Sequence, residues 1–227
     1  MKVMSEFSVH EPVMEHLSRK LERTADALCM NRMDAHCCQT KEEALALVKS
    51  LLRKDAVVSV GGSMTLKECG VMELLRSGDY QFLDREAVAP EEQQDLYRKA
   101  FTADYFLCSS NAITENGELY NVDGVGNRVS ALIYGPKEVI VVAGANKIVS
   151  NLDAAAERVK KLAAPVNAIR LSQETPCARI GACSGIKGDM AAGCHCEQRI
   201  CCSYVVSGYQ RFPNRIHVIL VAENLGY

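Results

Sequence analysis

Tryptophan is missing from this 227-residue chain, and only 6% of its residues are aromatic. A surface that stacks nucleobases needs more rings than this. An excess of basic charge is missing too: the formal net charge is −2. That leaves no electrostatic footprint for nucleic acid or an anionic membrane, so neither is an expected partner. Long apolar runs are absent; the longest are strand-sized and too short to span a bilayer. The opening stretch MKVMSEFSVHEPV has no uninterrupted apolar core, so it does not read as a signal peptide and the expected place is the cytoplasm. No repeat at a fixed period and no low-complexity linker divides the chain.

What is present is an ordinary globular composition, 48% hydrophobic and 24% charged, in a length that suits one large domain or two small ones. Cysteine is plentiful, with eleven residues. In a reducing compartment such thiols are core residues, metal ligands or redox groups rather than disulfides. Cys29, Cys37, Cys38, Cys69 and Cys108 are scattered in mostly apolar surroundings and read as small hydrophobes. The other six lie between Cys177 and Cys202.

Apolar periodicity predicts an amphipathic helix from Pro12 to about Met30, carrying Val13, Leu17, Leu21, Ala25 and Leu28. It forms an N-terminal extension, residues 1–32, that can pack on the body or on a second copy in a homodimer. A short strand is predicted at Met33–Cys38. A capping-box pattern at Thr40 and Glu43 opens a helix. Ala56–Val60 is a buried strand, and Leu66, Cys69, Met72 and Leu75 mark one helix ending near Gly78. Phe82 and Leu83 suggest a strand. Pro90 opens a helix to about Phe101. Tyr105–Cys108, Val139–Val142 and Ile216–Val221 are further buried strands. Leu152 to Leu162 is helical, with Pro165 as its end or the next turn. The strand runs are continuously apolar and alternate with helices, so the expected fold is α/β with a mostly parallel sheet flanked by helices. Residues 33–227 form that domain.

Three stretches carry candidate chemistry. The first is Gly61-Gly62-Ser63-Met64-Thr65, between a strand and a helix. Glycines there let backbone approach a ligand, and Ser63 and Thr65 suit an anion or simply cap the helix. Ligands in open α/β sheets sit at the carboxyl ends of strands, which favours a site. The second is Asp104–Lys147, where a dense polar segment lies between two apolar strands. Glu115, Glu118 and Asp123 are candidate nucleophiles or general bases, Glu118 being the odd one out if the stretch is one strand, and Arg128 and Lys147 are cations for an anionic substrate. Asn111, Thr114, Asn121, Gly124 and Asn127 can line and orient it. On one continuous strand Glu115, Asn121 and Asp123 would share a face; a turn at Asn116-Gly117 would reset that count. The third is the cysteine segment, with its thiols flanked by glycines. Its spacing matches neither common zinc modules nor the ferredoxin run, so metal binding, redox chemistry and free thiols all stay open.

The motifs GGSMTLKECGV, SSNAITENGELYNVDGVGNRVSALIYGPKEVIVVAGANKIV, TPCARIGAC with RICC, and RIHVILVAENLGY together resemble the LUD (lactate utilisation) domain family. The resemblance spans nearly the whole chain and is nearest to the short single-domain members. It implies a fold similar to ribose-5-phosphate isomerase, glucosamine-6-phosphate deaminase and the CoA transferases. It implies a link to oxidation of L-lactate to pyruvate, in a complex whose other subunits carry iron–sulfur clusters. The ligand would be a small anionic metabolite: a carboxylate, a phosphate or a CoA-type molecule. A non-catalytic metabolite- or partner-binding subunit, or a metal- or redox-responsive protein, is the alternative. The short members carry C-x5-C-x2-C-x6-C, and Cys177, Cys183, Cys194 and Cys201 match its four positions. These would hold zinc or an iron–sulfur cluster, although the middle gap is longer here, at SGIKGDMAAG.

Overall fold

The structure is a computed structural model and describes residues 10–227. The first nine residues of the N-terminal extension lie outside the described residues. Helix α1 (His10–Met30) leads into strand β1 (Asp34–Cys38). Helix α2 (Lys41–Leu51) follows, its first turn capped by Thr40, whose hydroxyl accepts from the Glu43 amide. Strand β2 (Val57–Val60) precedes two short helices, α3 (Met64–Glu68) and α4 (Val71–Leu75). The periodicity predicts one helix here; it is broken at Gly70, whose φ of 74° leaves the right-handed region. Strand β3 (Gln81–Leu83) and helix α5 (Gln93–Lys99) come next.

The centre of the chain holds β4 (Tyr105–Cys108), β5 (Ala112–Thr114), β6 (Leu119–Asp123), helix α6 (Asn127–Tyr134) and β7 (Glu138–Gly144). Strand β8 (Ile148–Val149) and helix α7 (Leu152–Arg158) follow. A wide π turn at Val159–Ala163 then continues into α8 (Ala164–Arg170), so Pro165 does not end the helical stretch. The ring of a proline crowds the carbonyl one turn back and offers no N–H. The π turn, closed by the Ala164 amide on the Val159 carbonyl, makes room for it. Helix α9 (Pro176–Ile180), β9 (Ser203–Ser207) and β10 (Ile216–Val221) complete the chain.

Six strands form a wholly parallel sheet in the order β1-β10-β7-β4-β2-β3. Its central strands are Val- and Ile-rich and buried on both faces, as a parallel sheet requires. One face packs on α2, α3 and α4 around Val48, Leu66, Leu75, Ile140 and Ile219. The other packs on α1 and α6 around Leu21, Leu28, Leu132, Val141 and Val218. Helix α1 thus buries Leu21 and Leu28 in a core it shares with the sheet. A second sheet, β8-β5-β6-β9, was not foreseen from sequence. Its strands are short and mix Thr, Asn and Tyr with apolar residues, so they lack the continuous runs that mark the main sheet. Among the described residues, no helix is long and apolar enough to cross a membrane.

Candidate functional site

The chain leaves the carboxyl ends of β2, β4 and β7 in three loops that meet at one cavity of about 300 Å³. Loop one brings Gly62 and Ser63, loop two brings Ser109, Ser110 and Asn111, and loop three brings Lys147. The β5–β6 hairpin returns Asp123 and Gly124 to the same place, and α6 starts there with Asn127 and Arg128. Of the sequence-predicted residues, Gly62, Ser63, Asn111, Asp123, Gly124, Asn127, Arg128 and Lys147 line the cavity. Gly61, Thr65 and Asn121 contact these lining residues from behind.

Thr114 and Glu115 are placed elsewhere. The chain turns at Asn116-Gly117, with Gly117 at φ 80°, so β5 and β6 are separate antiparallel strands. The turn aims Glu115 at helix α1, where it faces Lys20 at 3.4 Å and Arg23 at 3.7 Å. Thr114 is buried in the hairpin and donates to Glu118 at 2.6 Å.

Arg128 is the organising group. One terminal nitrogen donates to the Ser109 carbonyl at 3.1 Å and to Asn121 Oδ1 at 2.5 Å. The other donates to Asn111 Oδ1 and the Val122 carbonyl, both at 2.9 Å. Four of its five N–H groups are therefore committed to the protein, and it cannot grip an anion as a free fork. Asp123 is committed too. Its Oδ2 accepts from the Arg128 and Val129 amides at 3.1 and 3.2 Å, capping the start of α6. Its Oδ1 lies 3.9 Å from Arg128 Nε. The stem of Arg128 crosses Gly61 so closely that a Cβ there would lie 2.9 Å from Cγ and Cδ. Gly61 is required by space, not by backbone angle.

Lys147 is different. It is 4% exposed, and its ammonium donates to Thr65 Oγ1 at 2.7 Å and Ser109 Oγ at 2.9 Å. No carboxylate pairs with it among the described residues. Burial pushes its pKa down to about 7, and Arg158 and Arg128 push the same way. A lysine in this state can hold or release a proton at neutral pH. Ser63 takes the capping role, accepting from the Leu66 amide at 3.3 Å.

Arg85 and Arg170 join the lining and were not singled out from sequence. The Arg85 guanidinium lies over Gly62, 2.6 Å from where a Cβ would stand. Arg85 follows β3, so the strand-end rule could have found it; Arg170, on α8, carried no such signal. The cavity is thus lined by four cationic side chains, Arg85, Arg128, Lys147 and Arg170, against one carboxylate, Asp123. Two buried side-chain nitrogens beside this network, Asn121 Nδ2 and Arg158 Nη2, have no hydrogen-bond partner.

The cysteine segment is a loop drawn together by cations. Lys160 donates to the carbonyls of Gly185, Gly188 and Asp189. Arg199 donates to those of Cys194, Cys201 and Ala191. Cys194 and Cys196 lie 3.4 Å apart through their sulfurs. All eleven thiols are free. As placed, Cys177, Cys183, Cys194 and Cys201 do not converge into a ligand set for zinc or an iron–sulfur cluster. The segment is tied to the cavity wall, since the Cys202 amide donates to the Asp123 carbonyl at 2.9 Å.

A family model described as LUD domain matches residues 21–221. No curated protein matches the chain. Among solved structures, the chain is similar to the crystal structure of a DUF162 family protein from Deinococcus radiodurans, at 15% identity and a TM-score of 0.51. That similarity covers 91% of this chain and 98% of the other and speaks for the fold alone.

Proposed function

The chain belongs to the LUD domain family, and from that premise we propose that it binds a small anionic metabolite in the strand-end cavity, within lactate utilisation. One observation carries the reading: four cations face a single carboxylate around about 300 Å³. An anion there would relieve the mutual repulsion of Lys147, Arg128 and Arg158. A carboxylate such as lactate, a phosphate or the pyrophosphate of a CoA ester supplies that chemistry. Arg85 and Arg170 are the adaptable contacts, Arg128 holds Asn111 and Asn121 in place, and Lys147 carries the exchangeable proton. Iron–sulfur subunits of a lactate-oxidising complex would be the protein partners.

A second reading is favoured by one observation. Asp123 and Arg128 are bound to the fold itself, so no free carboxylate base stands in the cavity. In this reading the chain is a metabolite-binding subunit without turnover of its own. Thermal-shift titration with 2-hydroxy acids, sugar phosphates and CoA esters tests the common part. One class should raise the melting temperature, and Arg85→Ala should reduce that shift while leaving the unliganded melting temperature unchanged. No shift with any class would refute the site. Assays of L-lactate oxidation with an artificial electron acceptor then separate enzyme from binding subunit.

A further inference from the structure

Asp34 opens β1, and His217 of β10 is its direct neighbour across the strands. His36 stands two residues further along β1 on the same face, and Glu138 opens β7 on that face beside them. Two residues further along each strand the face turns apolar, with Cys38, Ile140 and Ile219 in the core. The polar group therefore sits where the parallel strands begin, at the opposite end of the sheet from the strand-end cavity, and nothing in the proposed function uses it.

Its donor set is specific. Asp34 Oδ2 lies 2.9 Å from His36 Nε2 and 2.8 Å from His217 Nδ1. The three ligand atoms all lie within 4.8 Å of one another, the one such His, Cys, Asp or Glu group among the described residues. His217 Nε2 lies 3.5 Å from Glu138 Oε2. With a neutral His217 and no metal the arrangement is in conflict. To bond Asp34, a neutral His217 must carry its proton on Nδ1, and then its Nε2 lone pair faces the Glu138 carboxylate. A metal on Nδ1 removes the conflict: the proton moves to Nε2 and is donated to Glu138. That is how metal-bound imidazoles are ordinarily oriented, through a carboxylate on the far nitrogen.

We propose that Asp34, His36 and His217 form a binding site for a divalent first-row transition ion of the zinc type, with Glu138 orienting His217. Ligand distances of about 2.0–2.2 Å place the donors roughly 3.3 Å apart, a widening of a few tenths of an ångström for the two Asp34–histidine spacings. Two imidazoles select against magnesium and calcium. Three protein ligands leave a fourth position for water or an external group.

The test uses the untagged full chain after chelation, titrated with Co²⁺ in visible absorption and with Zn²⁺ in equilibrium dialysis. The wild type should take up one equivalent of Co²⁺ with d–d bands and no thiolate charge-transfer band. His36→Ala and His217→Ala should each abolish that signal. Glu138→Gln should weaken binding by about 10- to 100-fold. A Cys194→Ser/Cys201→Ser variant should bind as the wild type does. No uptake by the wild type, a thiolate band, or undiminished uptake in the histidine variants would overturn the assignment. Should a histidine variant lose its circular dichroism, Asp34→Asn makes the same test, because that side chain is partly exposed and of the same shape.

Discussion

Replacing Lys147 with methionine removes a buried ammonium and should stabilise the protein at low pH but not at high pH. Burial first, and then Arg158 and Arg128, lower this lysine from 10.5 to about 7 in the folded chain. At about 1.4 kcal/mol per pH unit, that amounts to roughly 5 kcal/mol against the charged form. Below pH 7 the folded and unfolded chains both carry the proton, and the folded state bears the full penalty. Between pH 7 and 10.5 the unfolded chain keeps the proton that the folded chain has shed, so stability rises with pH. Methionine carries no such penalty but forfeits two hydrogen bonds, at about 1 kcal/mol each. Each hydroxyl keeps a backbone acceptor, Leu225 for Thr65 and Ser110 for Ser109. The variant should therefore gain on the order of 3 kcal/mol at about pH 6, an advantage that fades to near zero by about pH 9. Urea unfolding of both proteins across that range measures the difference. A difference that stays flat with pH refutes the reasoning. Anion binding should also restore the charge on Lys147, so at about pH 8 calorimetry in buffers of different ionisation heat should register proton uptake with the ligand.

Arg128→Met leaves four acceptors without their donor and should cost on the order of 3–5 kcal/mol in denaturant unfolding. Arg128→Lys should recover little of this, since an ammonium cannot reach both sides of the fork. Gly117→Ala places a Cβ 2.5 Å from the Ala27 backbone at a φ of 80°, and should cost more than about 1 kcal/mol. Faster hydrogen exchange in α1 would locate that damage. Burial pushes the Cys108 thiol up to about 11, so it should resist alkylation at about pH 8 until the protein unfolds, whereas exposed Cys202 reacts at once. Mass spectrometry of the labelled chain distinguishes the two.

The parallel sheet was legible because β4 and β7 carry unbroken apolar runs and β2 and β10 are interrupted only by Ser59 and His217, and such runs have few other places to go. The strand-end rule pointed to the Gly61–Thr65 turn, whereas Lys147 was readable only as a cation at the end of the polar stretch. The β5–β6 hairpin was legible only as an open choice between one continuous strand and a turn at Asn116-Gly117, and the turn carries Glu115 away. What Arg128 does was hidden. The sequence displays a guanidinium among amides, but only the fold shows that its donors already have acceptors. The Asp34, His36 and His217 group was hidden for a plainer reason: its members lie some 180 residues apart and meet only through the pairing of β1 with β10.

The crossing of Gly61 by the Arg128 stem has an evolutionary consequence. A side chain at 61 has no room while arginine stands at 128, and losing that arginine first strands the carbonyls and amides it holds. Neither position can change alone without passing through a damaged intermediate. The pair should behave as one epistatic unit, in which Gly61→Ala is harmful beside Arg128 and nearly silent once Arg128 has been shortened.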